Sequence, residues 1–211
     1  MRAGRGPRSV ALDIVGRINK ATGRRTGGLV GLTKADQRAV SRALSELRSG
    51  DPVQMANYLT RKTRDRRFDG IVRRAMRDGK PVQADQARKI TGRMADRLLY
   101  RRGETIARTE LLKGLHAAQN EGIMQLVDSG VIKQEQVTNE WDAANDPYTR
   151  DSHRAMDGQK RPLGEPFVSG LGNQLLYPGD TSLGAPAEDV VNCRCVLRQS
   201  IDFVSELRPG D

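Results

Sequence analysis

The chain has 211 residues, of which 36% are hydrophobic, only 4% aromatic and 29% charged, with a formal net charge of +10. Its longest apolar runs are a few residues, far below the ~20 that a membrane helix needs, and the first ten residues lack the apolar stretch of a signal peptide. Composition therefore excludes a membrane protein and gives no sign of secretion. It indicates a soluble, basic protein with an aliphatic core, organised as one ordinary domain or two small ones.

The positive charge is concentrated in the first half of the chain. Residues 1–110 contain 27 Lys+Arg against 11 Asp+Glu, a balance of +16, whereas residues 111–211 contain 9 against 15, a balance of −6. The chain has 28 arginines and 8 lysines, and the rigid fork of arginine suits phosphate and carboxylate groups. This asymmetry indicates that the two halves have different functions, and that the basic half binds a polyanion or an acidic protein.

Taken in chain order, the first thirty residues are rich in glycine and predict a mobile arm with one short ordered turn. Thr33 has the features of an N-cap for a helix over residues 34–48. Asp51 and Pro52 begin the next helix, because proline at the first helical position loses no hydrogen bond. A further helical piece is predicted over residues 70–77.

These helices carry a dense cluster of cations, eight within seventeen residues: Arg61, Lys62, Arg64, Arg66, Arg67, Arg73, Arg74 and Arg77. Phe68 is the only aromatic residue interleaved with them, too few to stack successive bases, so any contact with nucleic acid would be nonspecific and sensitive to salt. We assign residues 1–82 to a basic helical arm that contacts either DNA or an acidic protein partner. The alternative is a solvated helical face without a partner.

Helical periodicity is strongest after Val82. Glycines interrupt it, each at a cost of up to ~1 kcal/mol relative to alanine. We therefore predict two helices with a break near Arg102-Gly103, the second ending around residues 128–130. Within the second helix we expect Arg108 and Glu110 to form a buried network that ties the helix to later strands.

Short strands are predicted in the last third of the chain, over residues 137–141, 159–161, 167–168, 175–177 and 195–204. A short helix, capped by Thr149 and extending to Met156, lies between the first two. Helices first and short strands later predict an α+β fold, in which a helical N-terminal arm and long helices precede a small domain of strands and loops.

Three residues of this last region have the side chains that Zn²⁺ prefers: His153, Cys193 and Cys195. A fourth ligand would come from Asp146, Asp151, His116 or water, and an open fourth position would allow a catalytic metal. The Cys-x-Cys spacing is tighter than is usual for zinc sites. The alternative is therefore a small hydrogen-bonded core in which the cysteines pack as apolar residues.

Catalysis has less support in the sequence. A cysteine paired with His153 would resemble a nucleophile and its base, and His153 with Asn192 would suit a metal nuclease. Neither an oxyanion-hole motif nor a phosphate-binding loop accompanies these residues. We expect no enzymatic activity.

An ordered series of motifs runs from the second long helix to the two cysteines. It comprises Ile106–Glu110, Trp141, Asp146, Thr149–His153, Asp157-Gly158, Tyr177–Asp180 and Asn192–Cys195. In this order and spacing, residues 84–200 resemble the phage Mu F-like minor head protein (phage head morphogenesis) family. The positions that we interpret as structural residues of the motif are Arg108, Glu110, Trp141, Arg150, Asp157, Gly158 and Asn192. We assign this domain to residues 83–205 and a short tail to residues 206–211.

The resemblance implies a non-enzymatic minor capsid protein that associates with the portal protein and takes part in head morphogenesis, DNA packaging or ejection. It implies a location in the host cytoplasm during assembly and then inside the virion near the portal. Packaged double-stranded DNA and major capsid or scaffold proteins are further candidate partners, and no membrane is involved. The resemblance also strengthens the zinc hypothesis, because His153, Cys193 and Cys195 match the family's most recognisable positions. The alternatives are a metal-dependent nuclease or hydrolase that uses these three residues, and a nonspecific DNA-binding module.

Overall fold

The computed structural model of the protein describes residues 6–23 and 25–203. Their helices are α1 Pro7–Val15, α2 Lys34–Arg48, α3 Pro52–Thr60, α4 Asp69–Arg77, α5 Ala84–Asp128, α6 Asp151–Arg154 and α7 Ala187–Val190. Their strands are β1 Arg17–Ile18, β2 Arg25–Thr26, β3 Val137–Asp142, β4 Lys160–Pro162, β5 Phe167–Val168, β6 Gln174–Leu175 and β7 Val196–Ile201. The predicted α+β class is confirmed. None of the helices in these ranges is long and apolar enough to cross a bilayer.

The chain forms two compact units, Met1–Glu104 and Thr105–Asp211. The division falls inside α5, later in the chain than the predicted arm boundary at residue 82. The predicted tail over residues 206–211 lies outside the described residues.

The helix starts of the first unit follow from local capping. The Thr33 hydroxyl accepts a hydrogen bond from the Asp36 amide at 3.1 Å, and the Asp51 carboxylate accepts one from the Val53 amide at 2.9 Å. Both satisfy amides that the first turn of a helix leaves unpaired. The predicted starts of α2 and α3 are confirmed.

The core of the first unit is built from the apolar faces of α2 to α5. Its largest fully buried side chains are Leu47, Met55, Tyr58, Ile90 and Met94. Burial of such aliphatic and aromatic surface contributes about 25 cal/mol per Å². Non-directional apolar packing therefore holds this unit together.

The predicted break near Arg102-Gly103 is wrong, because α5 runs unbroken from Ala84 to Asp128. A Cβ at Gly103 would lie 2.5 Å from Val15 Cγ1 and 3.1 Å from the Ala11 carbonyl oxygen. Glycine at this position gives α1 the room to pack closely on α5. This tertiary contact outweighs the ~1 kcal/mol that glycine costs in a helix.

Much of the predicted mobile arm has regular structure. Helix α1 is followed by an antiparallel pair, β1 and β2, in which Arg17 lies opposite Thr26. Gly16 joins α1 to β1 with φ +80, and a Cβ there would lie 2.5 Å from the Thr26 carbonyl oxygen. Glycine is required by both the backbone angle and the close approach.

The second unit is organised around β3, which pairs antiparallel with β4 on one side and β7 on the other. A separate antiparallel pair joins β5 to β6. Alternate residues of β3, namely Val137, Asn139 and Trp141, are buried, as expected for a strand with one covered face. Trp141 and Phe167 lie at the centre of the main apolar cluster of this unit. Each predicted strand is present. β4 is displaced by one residue, β6 covers Gln174–Leu175 instead of residues 175–177, and β7 covers Val196–Ile201 instead of residues 195–204, of which residue 204 lies outside the described residues.

The short helix α6 begins one residue later than predicted. Its N-cap is Arg150, whereas the Thr149 hydroxyl binds the Asp146 carboxylate at 3.1 Å. Thr149 thus stabilises the turn before α6 and does not cap the helix.

Candidate functional site

A group of three metal-binding side chains lies in the interior of the second unit. His153 comes from α6, whereas Cys193 and Cys195 lie in the turn between α7 and β7. The imidazole Nδ1 is 3.5 Å from Cys193 Sγ and 3.4 Å from Cys195 Sγ. The exposed fractions are 1%, 5% and 2% in chain order. The fold therefore brings together the three residues that the sequence singled out from segments far apart in the chain.

The turn that carries the cysteines is anchored to α5 through Asn192. This residue has φ +58, a left-handed conformation that asparagine tolerates better than most residues. Its side-chain oxygen accepts a hydrogen bond from Arg108 at 3.1 Å, and its amide donates to the Thr109 hydroxyl at 2.8 Å. The backbone can therefore reverse at Asn192 and direct both sulfurs inward.

The orientation of His153 is set on the side of the ring away from the sulfurs. Nε2 lies 2.8 Å from the Asp189 carbonyl oxygen. A carbonyl oxygen only accepts hydrogen bonds, so Nε2 carries the proton and the lone pair of Nδ1 faces the cysteines. The ring also packs edge-on against Trp141, with ring centroids 5.4 Å apart. The imidazole is thus held in the tautomer that a metal ligand needs.

Asp189 is a buried polar centre that the sequence did not reveal. Its carboxylate accepts hydrogen bonds from Ser152 at 2.9 Å, Ser169 at 2.6 Å and Asn173 at 2.8 Å. Burial opposes ionisation of this carboxyl, but the hydrogen bonds outweigh burial and lower its pKa. The donors come from α6 and from the turn between β5 and β6, and no local sequence pattern points to such a partner set.

The two thiols differ in acidity because they interact with each other. The hydrogen bond from Cys193 lowers the pKa of Cys195. The same hydrogen bond, together with burial, raises the pKa of Cys193.

The carboxylates considered as a fourth ligand lie outside this group. Asp146 accepts a hydrogen bond from the Tyr148 amide at 2.9 Å and pairs with Arg194. The Asp151 side chain is 97% exposed and pairs with Arg154 at 2.9 Å. Among the described residues, the only such group consists of His153 and the two cysteines. Both carboxylates are instead engaged by arginines, which corrects the prediction that they are ligands.

His116 is also excluded as the fourth ligand. Its Nδ1 donates to the Pro178 carbonyl oxygen at 2.9 Å, and its Nε2 accepts from the Leu197 amide at 3.5 Å. Burial lowers the pKa of this imidazole. His116 is thus a neutral side chain that links α5 to two later segments.

A cavity of about 10 Å³ borders His153 and Cys195, and it is also lined by Ala144, Arg150 and Arg194. Such a volume holds about one water molecule. The space beside the three side chains is thus much smaller than a nucleotide or a peptide.

The remaining motif residues stabilise the loops around the centre. The Arg150 guanidinium donates to the Val191 carbonyl oxygen, and the Gly158 amide donates to the Trp141 carbonyl oxygen at 2.8 Å. Asp157 accepts hydrogen bonds from the Asn145 side chain and the Ala143 amide, each at 2.8 Å, and these bonds lower the pKa of Asp157.

The expected buried network of Arg108 and Glu110 is wrong. Glu110 is exposed, and Arg108 binds Asn192 instead. The two residues are only two positions apart on α5, so they project in different directions and cannot both face the later segments.

The eight cations of the predicted cluster over residues 61–77 fall into two groups. Four of them pair with carboxylates: Arg61 with Glu46, Arg64 and Arg73 with Asp69, and Arg67 with Asp65. The other four are exposed and make no ion pair with any described residue: Lys62, Arg66, Arg74 and Arg77. We call these four residues the free basic group. Half of the predicted cluster thus pairs within the unit, and only the pair of Arg61 with Glu46 joins residues far apart in the sequence.

Comparison with known proteins identifies the class of the chain. Residues 68–198 match the family described as phage Mu protein F like protein. Searches of curated proteins and of solved structures found no significant match.

The chain belongs to the phage Mu protein F like family. This is a structural family of phage head proteins, so membership indicates a head protein of the virion. The match begins earlier than the predicted domain and includes α4 with its arginines.

Proposed function

We propose that the protein is a minor head component that associates with the portal and acts in DNA packaging or ejection from inside the capsid. Family membership supports a head protein, and the free basic group is the observation that supports a docking role. Exposed cations without intramolecular partners remain available to an acidic surface. Fully paired ones would have to give up their own carboxylates first.

The geometry of α4 favours protein contact over a purely solvated face. Arg73, Arg74 and Arg77 lie on one side of this helix, while Val72 is buried on the other. Arginine forks bind carboxylates in a planar, two-point geometry that lysine does not provide. An acidic portal surface would offer that chemistry, and assembly on it would depend on ionic strength.

A charge-reversal experiment with a matched control tests this role. One triple variant changes Arg66, Arg74 and Arg77 to Glu, and the control changes Lys34, Arg38 and Arg42 of α2 to Glu. All six residues are exposed cations of the first unit, so the two variants have the same net charge. At about 0.5 kcal/mol for each lost ion pair, the first triple weakens portal binding on the order of tenfold.

The measurement is the dissociation constant of the full chain for its cognate portal protein, at low and moderate salt. We expect the control to bind like the wild type. The proposal would be overturned if both triple variants bound equally well. It would also be overturned if the wild type did not bind the portal at either low or moderate salt.

Titration of the same variants with DNA tests the alternative of a nonspecific DNA-binding module. Binding of unrelated duplexes with equal affinity, falling steeply with salt and lost in the first triple only, would assign the free basic group to DNA. A hydrolase is not supported, because the three metal-binding side chains are buried beside a cavity of only about 10 Å³.

A further inference from the structure

We propose that His153, Cys193 and Cys195 bind one zinc ion through Nδ1 and two thiolates, with a water molecule in the adjacent cavity as the fourth ligand. The ion would join α6 to the turn before β7 and hold the second unit together. This inference does not depend on portal binding.

The distances from Nδ1 to the two sulfurs fit a tetrahedral ion. Bond lengths of about 2.3 Å to sulfur and 2.0–2.1 Å to nitrogen place imidazole nitrogen and sulfur about 3.6 Å apart across a tetrahedral angle. The observed separations are 3.5 Å to Cys193 and 3.4 Å to Cys195. Ordinary hydrogen-bonded packing would need only one of the two sulfurs to face Nδ1.

The surroundings supply what a bound ion requires of its ligands. Histidine ligands of zinc usually donate their other N–H to a carbonyl or carboxylate, and His153 donates to the Asp189 carbonyl oxygen. The Cys195 amide points to Cys193 Sγ at 3.5 Å, and the Ala144 backbone forms a hydrogen bond with Cys195. Such contacts stabilise sulfur in the charged form that a metal needs.

The donor set also selects the class of metal. Two thiolates and one imidazole favour zinc over magnesium or calcium, which prefer oxygen ligands. Because the described group has no fourth protein ligand, we assign the remaining position to a water molecule in the cavity that His153 and Cys195 help to line. Binding releases the thiol protons, so affinity rises with pH.

Metal analysis of the full chain tests the proposal, with one histidine as the target and another as its control. We expect one zinc per chain after incubation with zinc and removal of the excess. His153→Gln and Cys193→Ser should lose it. His116→Gln should retain it, because His116 is equally buried but its two nitrogens are held by Pro178 and Leu197.

Two results would overturn the assignment. One is a wild-type chain that holds no zinc after this treatment, and the other is a His153→Gln chain that holds as much zinc as the wild type. Should either variant fail to fold, cobalt titration of the wild type gives an independent answer. Intense visible absorption with a thiolate-to-cobalt charge-transfer band, saturating at one equivalent, is expected. A weak octahedral spectrum, or an unchanged one, would contradict the site.

Discussion

The two units of this chain bury different kinds of side chain. In Met1–Glu104 the buried set is dominated by aliphatic residues of α2 to α5, and its buried carboxylates, Asp65 and Asp69, pair with arginines close by in sequence. In Thr105–Asp211 the polar residues buried within the described range are more numerous: His116, Asn139, Ser152, His153, Ser169, Asp180 and Asp189. Apolar packing tolerates changes of shape, whereas a buried polar network depends on every partner. The second unit should therefore respond more sharply to single polar substitutions.

The largest expected effect is that of Trp141→Ala in the second unit. Trp141 is fully buried and packs against His153 and Phe167, with ring centroids 5.4 and 5.3 Å away. Its removal should lower the free energy of unfolding by about 3–5 kcal/mol, as measured by denaturant titration followed by circular dichroism. A loss below about 1 kcal/mol would show that this cluster does not hold the unit together.

Among single polar substitutions, Asp189→Asn should cause the largest loss of stability. It leaves the donors of Ser152, Ser169 and Asn173 with one acceptor oxygen and introduces a competing amide, at a cost of about 1–3 kcal/mol. Trp141 is the single tryptophan of the chain, so its fluorescence reports unfolding of the second unit. Asp151→Asn, which changes an exposed carboxylate, is the control and should leave stability unchanged. Equal stability of the two variants would remove the distinction between buried and exposed carboxylates here.

Replacing each of two glycines of α5 by alanine should change the stability of the protein in opposite directions. Gly103→Ala forces a Cβ against Val15 and should destabilise the first unit by about 1–3 kcal/mol. At Gly114 a Cβ would meet nothing within 4 Å, so Gly114→Ala should stabilise by up to about 1 kcal/mol. Thermal melting of both variants measures the difference. Stabilisation by both would mean that α1 does not pack at Gly103.

The smallest effect concerns acid stability in the first unit. The hydrogen bond from Arg67 lowers the pKa of Asp65 from 3.8 to about 2. A carboxyl whose pKa is lower in the folded state stabilises the fold above pH 3.8 and loses that contribution as the pH falls through 2. Because Arg67 is largely exposed, the contribution is about 1 kcal/mol. Asp65→Asn should thus be less stable than the wild type at pH 7, and the difference should shrink as the pH falls from 3.8 through 2. A difference that stays constant over this range would point to a cause other than ionisation.

Local sequence signals were sufficient to predict much of the secondary structure of the first unit. Helix α2 begins after Thr33 and ends at Arg48, as predicted, because caps act on the backbone within one turn. The predicted break at Gly103 is wrong for the opposite reason. Its packing partner, Val15, is remote in sequence, and no pattern within α5 reveals it.

The candidate site was predictable in its residue types but not in its partners. His153, Cys193 and Cys195 were identified because few side chains share their affinity for zinc. Asp146 and Asp151 seemed equally suitable, since sequence spacing does not show that arginines engage them. Asp189 was missed altogether, as its role depends on three donors that only the fold brings together.

Hydrogen exchange of the full chain, compared with zinc present and after its removal by a chelator, tests the contrast between the two units most directly. Peptides from β3 through β7 should lose protection without zinc, because the ion would link α6 to the turn before β7. Peptides from α2 to α4 should keep their protection, because apolar packing holds them. Unchanged protection throughout, or an equal loss in α2 to α4, would contradict the account.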